Sequence, residues 1–312
     1  MDTPLEYYND LHNIIFPNDS IENGHTFDYE SKKSLVDNFE ILYLLILIIN
    51  CLLGAVGNGV VIWLLGFRIK RNPFITYILN LAVADLGVLV SATFHAVSFL
   101  FVFHDGFHIT YTLSLFLFLL MYSASQFLLT AISIDRCVAV FFPLWHKCHQ
   151  PTCLSSVVCA LIWVLSCLLT AITYTSMFTG DGIQFCQFIV NGLLCLPIMT
   201  VTTVALFMKL RLKARQHQRR KLLTVVSLTL VFFLFFSFPL NIIFIFNIFF
   251  LNYMSKYLTY TAMLLACLNS SVNPAIYTLV GRQRKSRRKE SMKMILQNVF
   301  KEEEGCTERN PS

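Results

Sequence analysis

The stretch LSLFLFLLMYSASQFLLTAISIDRCVAV, residues 113–140, carries no charged side chain until it reaches Asp135 and Arg136. An α-helix rises about 1.5 Å per residue, so the uncharged part is long enough to cross the roughly 30 Å of apolar bilayer. Charged groups are costly in lipid and are therefore expected where water begins. We predict a membrane-spanning helix that has this acid–arginine pair at one end.

The composition extends this prediction to the whole chain. Of 312 residues, 56% are hydrophobic and 13% are charged, whereas soluble domains have about 45–50% and about 25%. Seven apolar stretches are long enough to span a bilayer: Ile41–Phe67, Phe74–Phe103, Tyr111–Phe141, Cys153–Phe178, Phe185–Met208, Leu222–Leu251 and Tyr257–Val280. The sequence thus predicts an all-α membrane protein, a seven-transmembrane helix bundle with a short amphipathic helix after span seven. The apolar face of that short helix comprises Met292, Ile295, Leu296, Val299 and Phe300.

The basic residues predict the orientation of the bundle, because Lys and Arg in short loops stay on the cytoplasmic side. Of 24 Lys and Arg residues, only Lys32, Lys33 and Lys256 fall on the opposite side of the spans. We therefore expect an extracellular N-terminal segment at residues 1–40, a seven-helix transmembrane domain at 41–280, and a cytoplasmic amphipathic helix and tail at 281–312.

The net charge of +6 follows from this topology. Basic loops beside a membrane favour contact with anionic membrane lipids and disfavour nucleic acid as a partner. In the outer segment, the triplet Asn-Asp-Ser at 18–20 is a glycosylation sequon. We predict that Asn18 is glycosylated.

Asp85 is the only acidic residue deep within a span. Ionisable groups inside membranes usually face the bundle interior and often serve function. If spans one, two, three and seven pack together, the polar residues that could surround it are Asn58, Asn80, Ser125, Asn269 and Asn273. Two interpretations remain open: a functional site, or a hydrogen-bonded network that only supports the fold.

Pro274 predicts a weak point in span seven. It cannot donate a backbone hydrogen bond, and its ring crowds the carbonyl of Ser270. Asn273 and Tyr277 lie four residues apart on one face of this point, so it could act as a conformational hinge. Pro197 and Pro239 provide similar breaks in spans five and six, although prolines in membrane helices are often only packing features.

In this order, the residues resemble the helix signatures of rhodopsin-like G protein-coupled receptors. The signatures are GN at 57–58, LAVAD at 81–85, DRC at 135–137, Trp163, Pro197, Pro239 and NPAIY at 273–277. Three longer strings resemble the Mas-related receptors: VIWLLGFRIKRNPFITYILNLAVADL at 61–86, LLTAISIDRCVAVFFPLWHKCHQP at 128–151 and LNSSVNPAIYTLVG at 268–281.

The resemblance implies how the receptor would activate a heterotrimeric G protein, of the Gq or Gi type. Asp135 would hold Arg136 at rest, and Arg136 would enter the G protein when span six moves outward. The other residues of this switch would be Pro239, Asn273, Pro274 and Tyr277. Such receptors usually brace the arginine with an acid on span six, but Arg219 stands at the matching position. We therefore expect a weakly locked resting state.

The resemblance also implies a sodium pocket, formed by Asp85, Ser125, Asn269 and Asn273, and no other cofactor. Ser237 stands where the family's pocket and activation switch usually have a tryptophan. The switch is then expected to use other side chains, with Phe236 and Phe238 as candidates.

For the ligand, the resemblance argues against monoamines, because Phe118 stands where amine receptors have an acid. Thr173 and Val190 stand where several Mas-related receptors have acids that bind cationic ligands. The expected ligand pocket is a neutral set of aromatic and amide side chains: His95, Tyr122, Tyr174, Asn241 and Tyr260. It suggests a peptide or a neutral or weakly anionic small molecule, although each residue could instead only stabilise the bundle.

The cysteines depart from the usual receptor pattern. Tyr111 replaces the cysteine that most rhodopsin-like receptors have at the outer end of span three. Mas-related receptors tend to bridge spans four and five instead. Cys186 matches the span-five partner, but the nearest span-four cysteine, Cys167, lies within its span. We expect Cys186 to be unpaired.

Other classes of function are weighed against the receptor. An enzyme is not expected, since the chain shows no Ser–His–Asp set, phosphate loop or paired carboxylates. A multi-span transporter or ion channel is the alternative, because lone charges in membranes also mark ion paths. Transporters tend to have internal repeats, which this chain lacks. The predicted function is therefore a Mas-related-type receptor in the plasma membrane.

Overall fold

A computed structural model of the chain describes residues 26–69, 72–100, 107–143, 146, 151, 153–179, 186–212, 224, 227–229, 231–232, 235–236, 238–249, 256–281 and 296. Every regular element in these residues is helical, and none is a β-strand. The predicted all-α class is confirmed.

The helices follow the predicted spans in chain order. They are α1 (Thr26–Phe67), α2 (Pro73–Leu100), α3 (Phe107–Phe141), α4 (Leu154–Thr179), α5 in three parts (Cys186–Val190, Asn191–Cys195 and Leu196–Leu212), α6 (Phe238–Phe249) and α7 (Lys256–Gly281). Helix α1 begins well before Ile41, within the segment predicted to be extracellular. The described part of span six is shorter than the predicted Leu222–Leu251, whose remaining residues lie largely outside the described ones.

Five helices among the described residues are long and apolar enough to cross a membrane. They are Phe39–Phe67, Pro73–Ser98, Ile109–Phe141, Leu154–Ser176 and Cys186–Lys209. These correspond to predicted spans one to five. The predicted boundaries of the three domains are not tested by these helices and stay predictions.

Helix α3 lies at the centre of the bundle, and α1 lies at its edge. In the most apolar window of each helix, 67% of α3 but only 17% of α1 is buried. Helix α3 packs against α2, α4 and α5, whereas α1 packs against α2 and α7. Because lipid is as apolar as the bundle interior, the outer face of α1 can carry exposed Leu52, Leu53 and Val56.

Two glycines allow α1 to approach α7 closely. A methyl group added at Gly54 would lie 2.5 Å from Ser271 Oγ, and one at Gly57 would lie 3.1 Å from Pro274 Cβ. At Gly59 the same group would meet nothing within 4 Å. Small residues at helix contacts are the usual means of close packing in membranes.

The two prolines of α5 and α7 are accommodated differently. Residues Asn191–Cys195, just before Pro197, form a π-helical turn, which widens the helix where proline cannot donate to the carbonyl four residues earlier. Helix α7 instead continues through Pro274. The carbonyl left without its helical donor is that of Ser270, and it accepts a hydrogen bond from Asn58 Nδ2 at 3.0 Å.

The amphipathic helix predicted after span seven lies mostly outside the described residues. Leu296 is its one described residue, and it is fully buried in the same apolar cluster as Phe74 and Tyr277.

Candidate functional site

Asp135 and Arg136 form an ion pair at the end of α3. Arg136 Nε donates to Asp135 Oδ2 at 3.0 Å, and Arg136 Nη2 donates to the same oxygen. The guanidinium carbon lies 4.0 Å from the centre of the Phe74 ring. Arg136 is 4% exposed, so its charge is held by a carboxylate and an aromatic face rather than by bulk water.

His146 adds a third group that sequence reasoning missed. Its Nε2 lies 3.4 Å from Asp135 Oδ1, the oxygen that Arg136 does not use. The residue stands eleven positions after Asp135, and its backbone N–H donates to the Phe142 carbonyl at 3.0 Å, which places it one helical turn beyond the end of α3. Arg219 lies outside the described residues, so the missing brace on span six stays a prediction.

Asp85 joins three helices. Its Oδ1 accepts a hydrogen bond from Ser125 Oγ at 2.8 Å, and its Oδ2 accepts one from Asn273 Nδ2 at 2.6 Å. Asp85 is fully buried, so these donors from α3 and α7 replace the water that the carboxylate lacks.

Asn269 lies four residues before Asn273 on α7, but its side chain is only partly hydrogen-bonded. Its side-chain oxygen Oδ1 is buried and has no hydrogen-bond partner among the described residues. A buried acceptor without a donor is costly, which makes this atom available to a cation.

The other two asparagines expected around Asp85 have their amides engaged elsewhere. Asn58 Nδ2 donates to the carbonyls of Gly54 and Ser270, each at 3.0 Å. Asn80 Oδ1 accepts from Trp163 Nε1 at 3.0 Å. These bonds tie α1 to α7 and α2 to α4, so the two asparagines support the helices around the site.

The residues expected to form a ligand pocket pack against different neighbours. His95 lies 4.5 Å, ring centre to ring centre, from Tyr111. Tyr174 meets Phe116 edge to face at 5.5 Å. The remaining aromatic residues stack in pairs, Tyr122 on Phe118 and Tyr260 on Tyr43. These four residues thus lie on α2, α3, α4 and α7, and their role in ligand binding stays a prediction.

Asn241, the fifth of these residues, is fully buried and donates from Nδ2 to Gln126 Oε1 at 3.3 Å. This bond joins α6 to α3. Three residues earlier on α3, Ser123 Oγ accepts from Gln187 Nε2 at 2.7 Å and from Asn191 Nδ2 at 2.8 Å, both on α5.

These polar contacts of α3 with α5 and α6 were missed from the sequence. The available signal was that Ser123 and Gln126 lie three residues apart in a largely apolar span, and therefore on neighbouring parts of one helix face. Gln187 and Asn191, four apart on α5, carry the same signal.

The positions that match ligand-binding acids are neutral in this structure. Thr173 is fully buried, and its hydroxyl has no hydrogen-bond partner among the described residues. Val190 is partly buried. Cys186 and Cys167 are both free thiols, as expected from the sequence.

The other residues of the expected switch lie within α6 and α7. Tyr277 and Asn273 are buried, and Pro239 is half-buried. Phe236 stacks on Phe232 with ring centres 5.5 Å apart. Ser237, and the side chain of Phe238, lie outside what the structure describes.

Comparison with known proteins identifies the class. The model of the rhodopsin family of seven-transmembrane receptors matches residues 57–277. The chain therefore belongs to the rhodopsin family of seven-transmembrane receptors, within the group of Mas and Mas-related G protein-coupled receptors. It is a multi-pass plasma-membrane receptor, not an enzyme, and proteins of this class act through an extracellular ligand and a heterotrimeric G protein.

Individual relatives cover most of the chain. Proto-oncogene Mas of Homo sapiens is 33% identical over 80% of this chain and 80% of its own length. Mas-related G-protein coupled receptor member F of Homo sapiens is 38% identical over 82% of this chain and 78% of its own. Member B4 of Mus musculus is 32% identical over 95% of this chain and 94% of its own.

Proposed function

We propose that this receptor has its amino end outside the cell, binds a peptide or a neutral or weakly anionic small molecule there, and activates G proteins of the Gq or Gi type at its inner face. The observation that carries the coupling role is the buried Asp135–Arg136 pair, held at the end of α3 with Phe74 beneath the guanidinium. In the resting pair, the Arg136 guanidinium that would contact the G protein is buried against Asp135 and Phe74. A ligand then acts by favouring a minor state in which Arg136 is released.

The chemistry of the outer half supports an uncharged ligand that brings hydrogen-bond donors. Side-chain oxygens of Thr173, Gln187, Asn191 and Asn241 are buried and have no hydrogen-bond partner among the described residues. Gln187 is oriented firmly, because its Nε2 donates to the carbonyl of Leu119 at 2.7 Å and its Oε1 is then left as an acceptor. Peptide N–H groups suit such acceptors, and carboxylates do not, so these oxygens support the peptide and the neutral molecule of the proposal more than the weakly anionic one.

The coupling role is tested by screening ligands on cells that carry sensors for several G protein types, including Gq and Gi. Arg136→Ala should abolish the response while leaving surface expression and ligand binding intact. Arg68→Ala is the matched control, because Arg68 also lies over an aromatic ring, that of Trp63, at 5.0 Å. A full response from Arg136→Ala, or ligand-driven ion flux without nucleotide exchange in proteoliposomes, would contradict the proposal.

The same proposal includes a sodium ion held by Asp85, Ser125, Asn269 and Asn273. Its support is the buried carboxylate of Asp85 and a buried Asn269 Oδ1 that has no hydrogen-bond donor among the described residues, since carboxylate, hydroxyl and amide oxygens suit a hard cation. When bound, the ion supplies a positive charge that stabilises the resting bundle.

Sodium binding is tested on the purified receptor by its thermal stability in sodium chloride and in the chloride of a bulky organic cation. We expect higher stability in sodium, and no difference for Asp85→Asn. Asn80→Leu is the control, because Asn80 pairs with Trp163, and it should keep the sodium effect. Equal stability of the wild-type receptor in both salts would contradict a sodium site.

The orientation is tested at Asn18. If the amino end is outside, glycosidase treatment should lower the apparent mass of the wild-type receptor but not that of Asn18→Gln.

A further inference from the structure

Helix α3 is joined to α5 and to α6 by buried amide contacts of unequal strength. On the α5 side, Gln187 and Asn191 both donate to Ser123 Oγ, at 2.7 and 2.8 Å. On the α6 side, Asn241 Nδ2 donates to Gln126 Oε1 at the longer distance of 3.3 Å. Among these three contacts of the described residues, the one to α6 is therefore the weakest.

The pair on the α6 side is isolated from water. Gln126 is 1% exposed, and Asn241 is fully buried. Separating the two amides inside an apolar bundle would leave a buried donor and a buried acceptor, which disfavours separation. Asn241 Oδ1 already has no hydrogen-bond partner in the described part of the chain, so the closed arrangement leaves one acceptor unpaired and is stabilised only weakly.

Asn241 lies where its bond can influence a bend of span six. It lies two residues after Pro239, where the helix lacks one backbone hydrogen bond and can bend. A contact next to a bend controls the angle between the two halves of the helix. Ser237 takes the place of the tryptophan that commonly occupies this region in the family, which leaves a role for another side chain.

We propose that the Gln126–Asn241 hydrogen bond is a latch that holds span six against span three in the resting receptor, and that its opening is a step of activation. Gln126 and Asn241 are positioning residues that act on Arg136 through the angle of α6. The inference rests on the proposed coupling to G proteins through movement of span six. It adds the residues that set the resting equilibrium.

The latch is tested through basal signalling per surface receptor. Gln126→Leu and Asn241→Leu should each raise basal G protein activation about three- to tenfold, the shift expected from losing one interhelical hydrogen bond in a membrane. The double variant should rise no further than the single ones, because both remove the same bond. The exchanged pair Gln126→Asn with Asn241→Gln keeps both amides and should return basal signalling toward the wild-type level.

Asn80→Leu is the matched control. It removes an amide that joins α2 to α4, through Trp163, rather than α6 to α3. We expect no rise in basal signalling from it. An equal rise from Asn80→Leu, additive effects of the two latch variants, or unchanged signalling at wild-type surface level would overturn the latch. If a leucine variant is retained inside the cell, Asn241→Ser removes the same amide in a smaller side chain and decides the question in its place.

A second measurement separates the latch from the G protein role. Fluorophores at the inner ends of spans four and six report the movement of span six in purified receptor without any G protein. Asn241→Leu should shift the population toward the larger separation. No shift would refute the latch, whereas a shift without activation by any sensor would support the latch and refute the proposed coupling.

Discussion

Asn58 donates the hydrogen bond to the Ser270 carbonyl that Pro274 cannot donate. The stability effect of removing the Asn58 amide can therefore be predicted quantitatively. The Ser270 carbonyl lies four residues before Pro274 and accepts from Asn58 Nδ2 at 3.0 Å. Asn58→Leu keeps the approximate size of the side chain but leaves this buried carbonyl unpaired, at a cost of about 1–3 kcal/mol. Measured interhelical hydrogen bonds in membranes fall at the lower end, so we expect about 1–2 kcal/mol.

Pro274→Ala should remove most of that cost. Alanine at 274 has an N–H that can donate to the Ser270 carbonyl in the ordinary helical way. In the Pro274→Ala receptor we therefore expect Asn58→Leu to cost less than about 0.5 kcal/mol, leaving a coupling of about 1 kcal/mol. This exceeds the roughly 0.3–0.5 kcal/mol within which independent sites add.

The assay is thermal unfolding of the four purified receptors in one detergent. Asn80→Leu provides the control cycle, because its partner Trp163 lies on α4 and its cost should not depend on residue 274. If the costs of Asn58→Leu and Pro274→Ala simply add, Asn58 does not replace the missing backbone donor.

Two further predictions concern packing and the ion pair. Gly54→Ala should destabilise the receptor by about 1–3 kcal/mol, because its methyl group would lie 2.5 Å from Ser271 Oγ. The control Gly59→Ala has open space and should be neutral or stabilising. Equal melting temperatures of the two variants would refute the close packing of α1 on α7. His146→Ala should raise basal signalling about twofold, an effect of about 0.4 kcal/mol. The reason is that Asp135 Oδ1 loses the contact that helps to hold the carboxylate in place. Basal signalling at or below the wild-type level would show that His146 does not hold Asp135.

The sequence was sufficient where the relevant groups are neighbours along the chain or where length alone decides. Spans one to five coincide with helices long and apolar enough for a membrane, and α7 runs from Lys256 to Gly281, within one residue of each predicted end. The ion pair needed only that Asp135 and Arg136 are adjacent.

The partners of the other buried polar residues were less predictable. Ser125 and Asn273 meet Asp85 as the family resemblance implied. Asn58 and Asn80 pair instead with Ser270 and Trp163. The rotation of each helix about its own axis decides which neighbour an amide faces, and a single sequence does not reveal that rotation.

The contacts of α5 were hidden for a further reason. Its π-helical turn at Asn191–Cys195 adds a residue to one turn and so rotates everything on one side of it relative to the other. A uniform helical periodicity counted back from Pro197 therefore misplaces the residues before the turn, and the pairing of Gln187 and Asn191 with Ser123 depends on the structure.

By itself, the sequence determined that the protein lies in a membrane, where the apolar parts of its first five spans lie, and that it has the motifs of a receptor. Membrane helices are apolar on both their lipid-facing and their buried sides, because the lipid and the bundle interior are equally apolar surroundings for a leucine side chain. Periodicity therefore says little about which side of a span faces its neighbours. Only the tertiary structure decided that His146 reaches Asp135, that Asn58 donates to the Ser270 carbonyl of α7, and that Asn241 of α6 donates to Gln126 of α3.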